Sequence, residues 1–174
     1  MRATPTGFAP SSVSTAEMSG AVDPANREPL LLDAMLGKLA TYLRVCGYDA
    51  AYALDDGVED DDRLRDLAAA EGRRLVTRDR ALAASTPGAV VVTERDVEGQ
   101  LRELRDAGFD LTPAARPTRC GACNGRLEPV DAGDPRPDYA PDEGDAPVWR
   151  CVDCGQCFWT GSHWDDVRAT LRRL

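Results

Sequence analysis

The sequence predicts an α/β protein in two parts, a small parallel-sheet sandwich followed by a separate cysteine-bearing module. Two observations carry this expectation. From residue 30 onward, short apolar runs alternate with stretches whose apolar residues recur at helical spacing, the pattern of a parallel sheet with crossover helices. Nearer the C-terminus, four of the six cysteines fall in two C-x-x-C pairs, Cys120/Cys123 and Cys151/Cys154. A chain of 174 residues has room for one such sandwich and a small appendage.

Residues 1–28 are rich in Ser, Thr, Ala and Pro and show no period, so they are expected to be a disordered tail. They contain no apolar core segment, so no secretory signal is expected, and Met18 offers a second start. The α/β domain is expected over 29–111. "PLLLD" reads as a buried strand, and Leu36, Leu39, Ala40 and Leu43 as one face of a helix that stops near Gly47. "DAAYAL" gives a second strand, Leu64, Leu67 and Ala68 a second helix ended by Gly72, and "RRLVT" a third strand. A short helix from about Arg80, the strand "AVVVT", and a helix with Val97, Leu101 and Leu104 on one face complete the domain near Gly108. Residues 112–119, with two prolines and two arginines, read as a linker. In 120–174 each C-x-x-C turn precedes a strand-like stretch, as in a zinc ribbon, with a Pro/Asp/Gly-rich insert between the halves and a closing helix that carries Val167 and Leu171.

The net charge of -9 argues against a broad basic face of the kind that usually binds nucleic acid. Lys38 is the only lysine among 21 basic residues, and acid is spread over the whole chain. That balance resembles the solvated surface of proteins from salt-loving cells, where long-range steering is screened and contacts to a charged partner are local. No run approaches the length of a membrane span, and the paired thiols read as metal ligands rather than disulfides; a cytoplasmic location is expected.

Acids recur where strands end. Asp33 follows Leu30 to Leu32, Asp79 follows the third strand, Asp61 opens the second helix, and Glu94 and Asp96 follow the fourth strand. Open α/β sheets bind ligands outside the carboxyl ends of their strands, so these carboxylates can share one edge. Clustered carboxylates need cations to stay ionised together, and Mg²⁺ or Mn²⁺ prefers such oxygen ligands. The chemistry that fits is metal-assisted phosphodiester hydrolysis. For any single acid, a helix cap or a loop position is the competing explanation.

Cys120, Cys123, Cys151 and Cys154 would form a closed tetrahedral thiolate site, structural because no position is left for water. Cys157 makes Cys154/Cys157 an alternative pair, but it stands inside the apolar "CFW" and reads as a packed thiol, as Cys46 does in its helix. "FWTGSHW" admits two readings. Its aromatic residues either pack the ribbon against the main domain or stack on an unpaired base while Ser162, His163 and nearby arginines contact phosphate.

With "LLDAMLGKLATYLRVCGYD", "DDRLRDLAAAEGRRLVTRDRAL", "RCGACNGRL" and "CVDCGQCFWTGSHW" in view, the chain resembles the Mut-7 C-terminal RNase domain family from about Leu30 to the C-terminus. The resemblance implies a PIN-like nuclease fold followed by a zinc ribbon, and a metal-dependent ribonuclease. It matches Asp33 to the first-strand aspartate, Asp61 to the acid before the second helix, with Asp60 and Asp62 one residue to either side, and Asp79 to the acid of "TRD". Asp96 is the choice for a fourth acid and Glu94 its substitute. The family more often carries an aromatic residue at the position of Cys157. The expected cofactors are structural zinc and catalytic Mg²⁺ or Mn²⁺. RNA is the expected partner, contacted by Arg78, Trp159, Ser162 and His163, with ribosome or RNA-processing partners further candidates. A noncatalytic RNA- or ribosome-binding scaffold and a zinc-ribbon adaptor are the competing classes.

Overall fold

The structure is a computed structural model that describes residues 27–174. All but the last two residues of the expected disordered tail lie outside the described range. Four short strands, β1 (Leu30–Leu32), β2 (Ala50–Tyr52), β3 (Arg74–Thr77) and β4 (Val90–Val91), form one parallel sheet in the order β2-β1-β3-β4. Helices α1 (Gly37–Val45), α2 (Asp61–Glu71), α3 (Arg80–Ser85) and α4 (Val97–Asp106) follow the strands in turn. The predicted α/β class and element order are therefore present.

The period of two in β1 sorts its side chains between two cores. Leu30 and Leu32 face a cluster with Leu39, Leu43, Leu101 and Leu104 from α1 and α4, while Leu31 faces Leu64, Leu75 and Leu82 on the side of α2 and α3. Cys46 belongs to the first cluster, where burial pushes its thiol up to about 12; it is a packed thiol as expected.

A second, antiparallel sheet consists of β5 (Leu127–Pro129), β6 (Val148–Cys151) and β7 (Cys157–Trp159), in that order. The chain closes with α5 (Ser162–Arg173). Although α5 follows the cysteine module in sequence, its Val167 and Leu171 are buried in the α1 and α4 core. In the segment expected as a linker, Ala114 is buried and its N–H donates to the Val45 carbonyl at 3.0 Å.

The cysteine module is docked on the free edge of β2. Ala50 has its N–H and carbonyl on the side away from β1, and both find partners: Asn124 Oδ1 accepts the N–H at 3.0 Å, and Arg44 Nε donates to the carbonyl at 2.9 Å. Arg44 reaches on to the Gly121 carbonyl at 2.8 Å. At the amino end of the same strand, Asp49 accepts from Arg73 at 2.7 Å and from Asn124 at 2.6 Å, and pairs with Arg119 at 3.3 Å. Burial opposes ionisation of Asp49, but the bonds from Arg73 and Asn124 outweigh it and hold its carboxyl below the usual value of 3.8.

A depressed carboxyl contributes stability that is present above the ordinary value and is lost as pH falls through the lower folded one. Asp49→Ala should therefore destabilise the chain by about 1–2 kcal/mol at neutral pH, after allowance for partial exposure. The difference from wild type should shrink below about pH 3.8 in urea titrations. An equal difference at pH 7 and pH 2.5 would show that Asp49 acts by shape and not by charge.

Candidate functional site

The order β2-β1-β3-β4 sends the chain from β1 to opposite sides of the sheet, first to β2 and then back to β3. The two crossovers lie on opposite faces, so a crevice opens at the carboxyl ends of β1 and β3, where ligands bind in open α/β sheets. Asp33 and Thr77 are the residues that follow the last register pair, Leu32 and Val76, and the Asp33 N–H donates to the Val76 carbonyl at 3.1 Å. Thr77 is fully buried. Its hydroxyl donates to Asp33 Oδ2 at 2.7 Å and accepts from the Asp79 N–H at 2.9 Å. An amide N–H can only donate, so the single hydroxyl proton is committed to Asp33. Thr77 thus ties the two acids of the crevice together.

Each neighbouring acid starts a helix. Asp79 caps α3 by accepting the N–H groups of Ala81 and Leu82 on Oδ1, at 2.7 and 2.9 Å. Its Oδ2 accepts no hydrogen bond from the described residues. Asp96 caps α4 through the Gly99 N–H at 2.9 Å, a bond that holds its carboxyl below the usual range. At α2 the cap is Asp60, which accepts the Arg63 N–H at 3.0 Å. Asp61 is the exposed first helical residue, and Asp62 pairs with Arg65. The capping explanation therefore holds for Asp33, Asp60, Asp79 and Asp96, while Asp61 is a first-turn residue and Glu94 neither caps nor begins a helix.

Asp33, Asp61, Asp79 and Asp96 have no Arg or Lys partner within ion-pairing distance among the described residues. Neither do three of them bring oxygens within 4.8 Å of one another; the four cysteines are the one such group among the described residues. Asp33 and Asp79 are linked through Thr77, and Asp61 and Asp96 share no hydrogen bond with them. In chemistry alone, carboxylate oxygens without counter-ions suit a hard divalent ion, and both Asp33 oxygens already accept hydrogen bonds, Oδ1 from the Ala34 N–H at 2.5 Å and Oδ2 from Thr77.

Cations flank the edge. Arg78 is half-buried with its Nε unpartnered, beside Glu103. Burial works against the Glu103 carboxylate, yet Thr93, the Glu94 N–H and Arg78 keep its carboxyl below the usual value. Lys38 and Arg95, exposed and without an ion pair among the described residues, line a cavity of about 410 Å³ with Met35, Asp96 and Gln100, between the starts of α1 and α4. Sequence reasoning missed Thr77, Lys38 and Arg95. The "T" of "TRD" was the available signal for the first.

The four sulfurs of the cysteine module form one group. Sγ of Cys120 and Cys154 are 3.7 Å apart, and those of Cys123 and Cys151 3.5 Å. A tetrahedron of zinc–sulfur bonds of about 2.3 Å has edges of about 3.8 Å, so the cluster can hold zinc. Both C-x-x-C turns use the same hydrogen bonds. The N–H groups of Cys120 and Cys151 donate to the carbonyls of Gly125 and Gln156, and their own carbonyls accept from Asn124 and Gly155, both of which have positive φ. Cys157 is buried and outside the group, so the pairing with Cys151 is the one realised. Gly125 is required by close approach, because a Cβ there would lie 2.7 Å from Cys151 Sγ.

Trp159, Ser162 and His163 line a different cavity, of about 310 Å³, against the second half of α1 at Thr41, Arg44 and Val45. Asp33 and Asp79 are not in its wall. The acids and "WTGSHW" therefore lie on separate surfaces, because the module docks along β2 and α1.

Zinc analysis of purified protein should find about one ion per chain, retained in Cys157→Ser and lost in Cys151→Ser. Since the first knuckle is bonded to Ala50 and Arg44, stripping the metal should lower the melting temperature of the whole chain by about 10 °C. Retention of zinc in Cys151→Ser would overturn the ligand set.

No helix of the described residues is long and apolar enough to cross a membrane. No curated relative and no solved structure matches the chain. The model of the Mut7-C RNAse domain matches residues 28–171, which takes in the acidic edge, both knuckles and most of α5. A parallel sheet with acids at its strand ends, joined to a four-cysteine ribbon and matched over that whole length, places this chain in the Mut7-C RNAse domain family.

Proposed function

We propose that the chain is a metal-dependent ribonuclease that hydrolyses RNA phosphodiester bonds at the carboxyl edge of its parallel sheet. The observation that carries the reading is the Asp33–Thr77–Asp79 connection at the topological switch point, in a chain of a ribonuclease-domain family. Asp33 and Asp79 would hold Mg²⁺ or Mn²⁺, with Asp61 and Asp96 at the rim and Glu94 as the substitute for Asp96. An ion held there would supply activation of a water and neutralisation of charge on the leaving oxygen.

The chain's own residues do the rest. Thr77 orients Asp33 by the proton it donates to Oδ2, opposite the Ala34 N–H on Oδ1. Asp79 uses Oδ1 to cap α3, which leaves Oδ2 without a hydrogen bond among the described residues. Arg78, with Lys38 and Arg95 beyond it, would receive the phosphates flanking the scissile one, contributing positive charge where the acids alone would repel RNA. The cysteine module has a structural part, completing the edge of β2, and Trp159, Ser162 and His163 would meet RNA away from the acids. A cytoplasmic setting belongs to the same proposal.

The test is cleavage of a panel of single-stranded and structured RNAs with Mn²⁺ or with EDTA. Wild type should cut only with the ion, and Asp33→Asn/Asp79→Asn should not cut. Thr77→Val should lose about 10- to 100-fold in activity, the usual effect of removing a group that orients a metal ligand, while Thr77→Ser keeps most of it. Equal cleavage by the double mutant and wild type would identify a contaminant and sink the assignment. Under the competing noncatalytic reading, the wild type binds RNA and cuts nothing with any divalent ion.

A further inference from the structure

The end of the molecule remote from the acids has a surface unlike the rest of this acidic chain. A cavity of about 560 Å³ at the amino end of the sheet is walled by Arg27, Arg116, Arg119 and Arg126, with Asp49 the one acid in its lining. Arg27 is committed to Asp110 and Arg119 to Asp49. Arg116 has no ion pair among the described residues, and Arg126 reaches Glu128 only at 3.9 Å; both are exposed. Arg119 also lines the aromatic cavity, so the two hollows share one residue.

The aromatic cavity has an open side made by the insert. Tyr139 folds back over β7, where its hydroxyl accepts the Cys157 N–H at 3.1 Å. Its ring centre lies 6.4 Å from that of Trp159, with the planes 31° apart, and more than half of the residue, 55%, is exposed. The indole of Trp159 holds its place because Gly161 has no side chain; a Cβ would come within 2.7 Å of its Nε1. An exposed tyrosine beside a half-buried tryptophan, with Arg119 shared between the two cavities and the unpaired Arg116 in the second, is a combination suited to single-stranded nucleic acid, with flat rings for a base and guanidinium groups for the backbone.

We propose that this end of the molecule is an RNA exosite in which an unpaired base enters between Tyr139 and the ribbon aromatics, while the adjoining phosphates lie on Arg119, Arg116 and Arg126. The identity of the ligand rests on the ribonuclease reading. Helix α1 begins four residues after Asp33, and its second half walls the aromatic cavity, so the two sites are joined by a helix about 13 Å long. RNA held at both places runs beside α1 as a single strand, since a paired base cannot enter the cavity. The enzyme therefore selects unpaired RNA long enough to span α1.

The experiment measures affinity of the full chain for a labelled single-stranded RNA of about 16 nucleotides and for its duplex, by fluorescence anisotropy in buffer without Mg²⁺ or Mn²⁺. Arg116→Glu/Arg126→Glu should weaken single-strand binding at least tenfold and flatten its log–log salt dependence by about 1.4, the value for two lost phosphate contacts. Tyr139→Ala should weaken single-strand binding about tenfold and leave duplex binding alone. Tyr139→Phe loses the bond to Cys157 but keeps the ring, and should bind like wild type, which separates stacking from folding. Unchanged single-strand affinity in the double charge reversal, or equal loss on single strand and duplex in Tyr139→Ala, overturns the exosite. Cleavage with Mn²⁺ is read separately. A chain that binds as described and never cuts loses only the nuclease assignment; one that cuts while the charge reversal binds like wild type loses only the exosite.

Discussion

Complete burial of β1 governs where this chain can place a polar group. Leu30, Leu31 and Leu32 have no exposure, because the strand is paired on both sides and covered on both faces. Burying three leucine side chains is worth roughly 1.5–3 kcal/mol each, which leaves no tolerance for a charge within the strand. Asp33 is the first position from which the chain can reach water. On β3 the same limit is met differently. Thr77 is as buried as the leucines, and its hydroxyl is acceptable there only because both of its hydrogen-bonding directions are used. The acidic crevice thus lies where the sandwich is forced to stop being apolar, and Thr77 is its innermost polar layer.

The other boundary of the sheet obeys a similar accounting. β2 is an edge strand, and an uncovered edge presents unpaired backbone groups. Asn124 and Arg44 satisfy the two groups of Ala50, and the left-handed backbone at Asn124 is part of the turn that carries Cys120 and Cys123. Closing the thiolate cluster therefore holds the residue that seals the sheet. The turn of Cys120 and Cys123 is tied to the parallel sheet by directional bonds at Ala50 and Arg44, while α5 adds Val167 and Leu171 to the core behind it.

The elements were legible because each has a local signature. Leu36, Leu39, Ala40 and Leu43 stand at helical spacing, the strands are short apolar runs, and the two C-x-x-C turns repeat one hydrogen-bond pattern. Asp33 directly follows β1 and Asp79 follows β3 after one residue, which is what made both legible as strand-end acids. What stayed hidden was every contact between residues distant in sequence. Nothing near Val167 or Leu171 says that α5 leaves the ribbon and joins the α1 core, and nothing in "CNG" says that Asn124 will seal Ala50. Asp61 shows the remaining limit. Three successive aspartates offer the same chemistry, and only the helix geometry makes Asp60 the cap and leaves Asp61 exposed.

The same distinction between local and distant bears on the proposed binding of RNA by so acidic a protein. At a net charge of -9 the long-range field repels phosphate, and any attraction has to arise at contact distance. Arginine suits that requirement better than lysine, since its guanidinium is weakly hydrated and delivers its hydrogen bonds as a fork. Twenty of the 21 basic residues are arginine, and Lys38 is the exception. In concentrated salt, where the Debye length falls toward about 3 Å, the repulsion from distant acids is screened while forked contacts and base stacking persist. An acidic envelope and a few exposed arginines beside aromatic rings are then compatible features of one surface, the first preserving solubility and the second acting only on a strand that has already arrived.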